Sequence, residues 1–106
     1  MNPPLLRERD LDVLRGVFGR FPSVREVRVF GSRASGNARR ASDLDLAMSA
    51  PEAKPSEWAD LREGLENAPL IYELDLVRME QLNNPRLKAR IDREGIPIYV
   101  KPRSRD

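Results

Sequence analysis

The chain has neither cysteine nor histidine among its 106 residues. Without cysteine there is no disulfide framework and no sign of an oxidising compartment, so the cytoplasm is the expected location. Losing both residue types removes imidazole bases, Cys–His nucleophiles and the usual zinc sites. Acid, base or metal chemistry therefore has to run on Asp and Glu. Aromatic residues are scarce at 6%; no base-stacking platform is visible, and direct nucleic-acid binding is not expected. No apolar run reaches the ~18 residues of a membrane span, and no signal-peptide pattern opens the chain.

Hydrophobic residues make up 40% and charged residues 34%, the balance of a folded, soluble domain. The length fits a single domain over residues 1–106, with 101–106 as a frayed tail. The net charge of +2 hides a segregation: residues 1–42 carry +5, residues 43–80 carry −7 and residues 81–106 carry +4. Such blocks are most simply solvated faces.

The pattern along the chain alternates helix and strand. Asn2-Pro3 suits a helix start, and Leu11, Leu14, Val17, Phe18 and Phe21 recur at helical spacing up to Phe21-Pro22. Val24–Phe30 reads as a strand with Val27 and Val29 on one face, and Gly31–Gly36 as a turn into a short helix. A second strand spans Ser42–Met48, and a linker runs from Pro51 to Pro55. Glu57–Glu66 predicts a helix with Trp58, Leu61 and Leu65 on one side, and Leu70–Val77 a third strand. Asn84-Pro85 caps a last helix with Leu87 and Ile91 inward, which Gly95 closes. Ile96–Val100 is a final strand, placed at a sheet edge by Pro97. The fold class is α/β (α+β): a small mixed sheet of about four strands with helices packed on it.

The run Asp43-Leu-Asp-Leu46 carries the first chemical signal. A strand has a side-chain period of two, so Asp43 and Asp45 share a face, about 6.7 Å apart along the chain. Leu44 and Leu46 then face the core. Two like charges on one face repel, and a hard divalent cation such as Mg²⁺ would relieve them. Glu73 and Asp75 repeat the theme in the third strand, between core-facing Leu74 and Leu76. If the two strands lie close, Asp75 completes a carboxylate triad. Gly31-Ser32 supplies the second signal, a strand-to-helix turn whose free backbone N–H groups favour an anion. Glycine would let a phosphate approach, and the Ser32 hydroxyl can donate to it. Alone, the carboxylate pair is a weak motif and the turn is most simply an N-cap. Together they match what a nucleoside triphosphate with its metal requires.

Val29-Phe-Gly-Ser-Arg-Ala-Ser-Gly-Asn-Ala-Arg39 followed by Ser42-Asp-Leu-Asp-Leu46 resembles the signature of the polymerase-β-type nucleotidyltransferase superfamily. Gly-Ser, ten residues, then Asp-x-Asp is specific, and the resemblance is nearest to the minimal nucleotidyltransferases. It implies triphosphate at Gly31, Ser32, Arg33 and Arg39. It also implies metal at Asp43, Asp45 and a third carboxylate, Asp75 in preference to Glu73. Ser35 departs from the pattern, standing where many relatives carry Arg or Lys. Two Mg²⁺ ions, ATP as substrate and Asp75 as proton acceptor follow from the same resemblance. Minimal members are typically paired with a helical HEPN toxin that they neutralise as antitoxins, in some cases by adding AMP to it. Three readings therefore compete. The chain transfers a nucleotide to a partner protein, or neutralises by contact alone with a vestigial site. Alternatively it acts on a small molecule or RNA end held at an oligomer interface.

Overall fold

The computed structural model describes residues 6–31 and 43–102. Within them the order is α1 (Glu8–Gly19), β1 (Glu26–Phe30), β2 (Asp43–Ser49), α2 (Pro55–Glu66) and β3 (Glu73–Arg78). A 3₁₀ turn (Met79–Gln81), α3 (Pro85–Glu94) and β4 (Ile96–Val100) complete it. The strands form one mixed sheet in the order β3-β2-β1-β4. β1 pairs antiparallel with β2 and β4, while β2 and β3 run parallel through the α2 crossover. This is the mixed α/β architecture that the pattern predicts, although the helix expected after Gly31 lies outside the described residues.

Alternation sorts the sheet into two faces. Val27, Val29, Leu44, Leu46 and Met48 are all essentially buried and meet Leu14, Val17 and Phe18 of α1 and Leu61 and Leu65 of α2. Phe30 and Ala47 point the other way, into a smaller cluster closed by Ile91 of α3 with Val77, Met79, Leu82 and Leu87 against it. The described residues thus form three layers, two helices over one face and one over the other.

Several boundaries differ from the expected ones. Leu6 and Arg7 are not helical, so α1 begins at Glu8 rather than following Asn2-Pro3, which lies outside the described residues. Leu6 is buried just ahead of the Arg7 cap and joins the same core as Leu11, the two positions of a hydrophobic staple. α2 starts at Pro55, in the first turn where the fixed φ of proline favours a helix. β3 starts at Glu73 rather than Leu70, because the preceding segment is tied to α1 instead of to β2. Arg9 donates to the Pro69 carbonyl (3.3 Å) and the Tyr72 hydroxyl donates to Asp10 Oδ2 (2.8 Å). Asp10 itself is fully buried and also accepts from Arg7 Nε (3.2 Å) and Arg9 Nη1 (3.1 Å).

Other expectations hold. Asn84 Oδ1 accepts from the backbone N–H groups of Arg86 and Leu87, both at 3.1 Å. β4 is a sheet edge, and Pro97 sits opposite Arg28 where the β1–β4 register shifts. Gly95 ends α3 but in extended conformation (φ −66°, ψ 137°), not left-handed. Its need for glycine is steric: a Cβ there would lie 2.5 Å from the Ile91 carbonyl oxygen and 3.1 Å from Arg28 Cδ.

The C-terminal ends of β2 and β3 are knotted together. Arg78 Nη2 donates to the carbonyls of Ala50 (2.8 Å) and Ala53 (2.9 Å), and its guanidinium lies 5.4 Å from the centre of the Trp58 ring system. Glu80 accepts from the Ala50 backbone N–H (2.9 Å) and the Ser49 hydroxyl (3.0 Å). The parallel pair is thereby clamped at one end, which fixes its register at the other.

Candidate active site

At the N-terminal ends of β2 and β3, parallel register sets Asp43 opposite Glu73 and Asp45 opposite Asp75. The intervening Leu44 and Leu46 anchor β2 in the main core, so the aspartates are directed to the α3 side. Asp43 and Asp75 are exposed, whereas Asp45 is half-buried.

Burial holds the Asp45 carboxyl above its ordinary pKa, and the neighbouring Asp75 carboxyl pushes in the same direction. The charge of Asp43 adds to this, and that of Arg90 on α3 opposes it. Arg90 also lies 3.4 Å from Glu94. Arg90 belongs to none of the sequence motifs. Its signal was available: it directly precedes Ile91, which anchors α3 to this face.

Gly31 ends β1 beside this cluster. Its φ is +76°, and the side a Cβ would take is occupied by the Asp45 carboxyl group. Ser32, Arg33, Ser35 and Arg39 lie outside the described residues. The structure therefore brings Gly31, Asp45 and Asp75 together, with Asp43 and Glu73 along the same strands. Among the described residues, no three acidic groups close around one point tightly enough to hold a metal ion as they stand. The donor set nevertheless fits a hard divalent cation. It consists only of carboxylate oxygens, and its central member is crowded by like charge.

The sheet defines the class: this is a nucleotidyltransferase fold. Residues 13–104 match the family described as "Polymerase beta, Nucleotidyltransferase", and the chain belongs to that family. Among solved structures, one described as a toxin–antitoxin with AMP-PNP is 20% identical. The match covers 87% of this chain and 74% of that one, with a TM-score of 0.69. A toxin–antitoxin mutant carrying two aspartate-to-glutamate changes two positions apart is 21% identical, over 91% of this chain and 75% of that one, with a TM-score of 0.66. The MntA–HepT toxin–antitoxin complex is 15% identical over 90% and 74%, with a TM-score of 0.58. Comparison with curated protein sequences gives no significant match. Among the described residues, no helix is long and apolar enough to cross a membrane.

Proposed function

We propose that the chain is a Mg²⁺-dependent nucleotidyltransferase that moves AMP from ATP to a hydroxyl of a partner toxin. Its acceptor is a helical HEPN-type protein, which it neutralises as the antitoxin. The observation that carries this reading is the register pairing of Asp45 with Asp75 on one exposed face, beside the Gly31 turn. A similar fold solved with AMP-PNP, in a toxin–antitoxin pair, supports both the nucleotide and the partner.

Asp43, Asp45 and Asp75 would hold the divalent ions, which supply positive charge against the triphosphate and the departing pyrophosphate. The Gly31-Ser32 turn with Arg33 and Arg39 would orient the β and γ phosphates. Asp75, exposed at the strand edge and with no histidine in the chain, accepts the proton of the attacking hydroxyl. The hydroxyl oxygen bonds to the α-phosphorus, the bond from that phosphorus to the bridging oxygen breaks, and pyrophosphate leaves.

Intact-mass spectrometry of this chain mixed with a helical HEPN-type protein encoded beside it, ATP and Mg²⁺ tests the reading. The partner is expected to gain the mass of AMP with wild-type protein and not with the Asp43→Asn, Asp45→Asn variant. A stable complex without added mass supports contact-only neutralisation instead. Neither complex nor added mass points to a small-molecule or RNA acceptor.

A further inference from the structure

A glycine at a turn is ordinarily explained by its backbone, and at φ +76° Gly31 satisfies that explanation. The space around it says more. An ideal Cβ built on Gly31 overlaps Asp45 Oδ2 and falls 3.3 Å from Asp45 Cγ and 3.7 Å from Asp45 Cβ. All three nearest atoms thus belong to one side chain. Phe30, the residue before, is the register partner of Asp45, so the chain turns just where it passes that aspartate. The Asp45 carboxyl group occupies the space that a side chain at position 31 would need.

We infer that Gly31 is a positioning residue for Asp45, and that its missing side chain seats the carboxyl group for a divalent cation rather than clearing a path for phosphate. This inference rests on the reading of Asp45 as a cation ligand given above. Its physical basis is the difference between an obstacle that can swing and one that cannot. At Gly95 the obstacle is a helix carbonyl, so an added Cβ strains the fold. At Gly31 it is the end of a rotatable side chain, so an added Cβ turns the Asp45 carboxyl away, in addition to the backbone strain that any side chain meets at φ +76°. A side chain at 31 therefore removes metal affinity by a route separate from backbone strain, and comparing Gly31→Ala with Gly31→Asn separates the two.

Binding of Mn²⁺ alone, without nucleotide, to the full chain distinguishes the roles, read by electron paramagnetic resonance with thermal unfolding as a control. Wild type is expected to bind Mn²⁺. Asp45→Asn and Gly31→Ala are each expected to weaken binding by about 10–100-fold, the scale of losing a group that orients a ligand. Their combination should be no weaker than Asp45→Asn alone, since both act on one carboxylate. Gly31→Asn, which tolerates positive φ better than alanine but still carries a Cβ, should lose as much as Gly31→Ala. Wild-type Mn²⁺ affinity in Gly31→Ala, with Asp45→Asn impaired, overturns the inference and leaves the Asp45 assignment standing. Retained affinity in Gly31→Asn assigns the requirement to backbone conformation and also overturns it. Equal binding by wild type and Asp45→Asn overturns the underlying assignment of Asp45 itself.

Discussion

Asp45 and Asp75 are direct register partners across the parallel strands β2 and β3, so their carboxyl groups stand side by side on one face. The pairing is unfavourable once both groups ionise, and the nearby Arg90 only partly offsets it. The strands stay in this register because Leu44 and Leu46 are buried on the opposite face and Arg78 locks the far end.

Asp45→Asn should stabilise the free protein at neutral pH, by about 0.5–1 kcal/mol once solvent screening of a half-exposed group is allowed for. A carboxyl whose folded pKa is raised binds its proton more tightly in the native state. Its ionisation therefore costs stability as pH rises above the ordinary value of about 3.9. The variant's advantage should vanish below that pH and reach its full size above the raised pKa. Thermal melts of both proteins across pH 3–8, without divalent ions, check the sign.

Asp10 should behave in the opposite sense. The Tyr72 hydroxyl bond holds its carboxyl below the ordinary pKa, aided by Arg7 and Arg9, although burial works against them. That stability is present above about pH 3.9 and is lost as pH falls through the depressed folded value. Tyr72→Phe should cost about 1–3 kcal/mol at neutral pH, the range for a hydrogen bond to a buried charged group. It should also flatten the acid limb of the stability profile, which equilibrium urea unfolding below pH 5 would reveal.

Arg78→Ala should be among the most damaging changes remote from the carboxylates. It removes two hydrogen bonds to the carbonyls of Ala50 and Ala53 and the packing over Trp58. A loss of about 2–4 kcal/mol is expected from bonds to a charged donor plus a cation–π contact. Lysine at this position should rescue little, because a point charge cannot span both carbonyls and the ring. Chemical denaturation of the two variants compares them.

Two helix-associated glycines should respond oppositely to alanine. Gly16, inside α1, has nothing within 4 Å of a Cβ, so Gly16→Ala should stabilise by about 0.5–1 kcal/mol through helix propensity. Gly95→Ala should destabilise by about 1–3 kcal/mol, since its Cβ meets the Ile91 carbonyl oxygen at 2.5 Å. Paired thermal melts settle both signs.

The strand that carries Asp43 and Asp45 was legible because a period of two is fixed by local geometry, and alternating Asp and Leu leaves no choice of face. The Asn84 cap and the edge strand with Pro97 were legible for the same reason, since each depends on chain neighbours only. What the sequence did not disclose depends on distant partners. Asp10 is one charge among many until Tyr72, 62 positions on, is folded against it. The same tie shortens β3 relative to its hydrophobic run. Arg78 reads as a charge just past the strand expected to end at Val77, and becomes a clamp only through the loop after β2. Gly31 announced a turn, but the occupant of its missing side chain depends on how Asp45 is rotated.

The clamp formed by Arg78 and Glu80 gives the β2–β3 pair a mechanical polarity. Hydrogen bonds and stacking crowd its C-terminal end, while like charges crowd the end bearing Asp43, Asp45 and Asp75. Native-state opening should therefore propagate like a zipper from the acidic end toward the Arg78 knot, with amide exchange fastest near Asp43 and slowest near Met48. Neutralising the carboxylates would close the zipper from its loose end, so the acidic face would gain rigidity only with a cation bound.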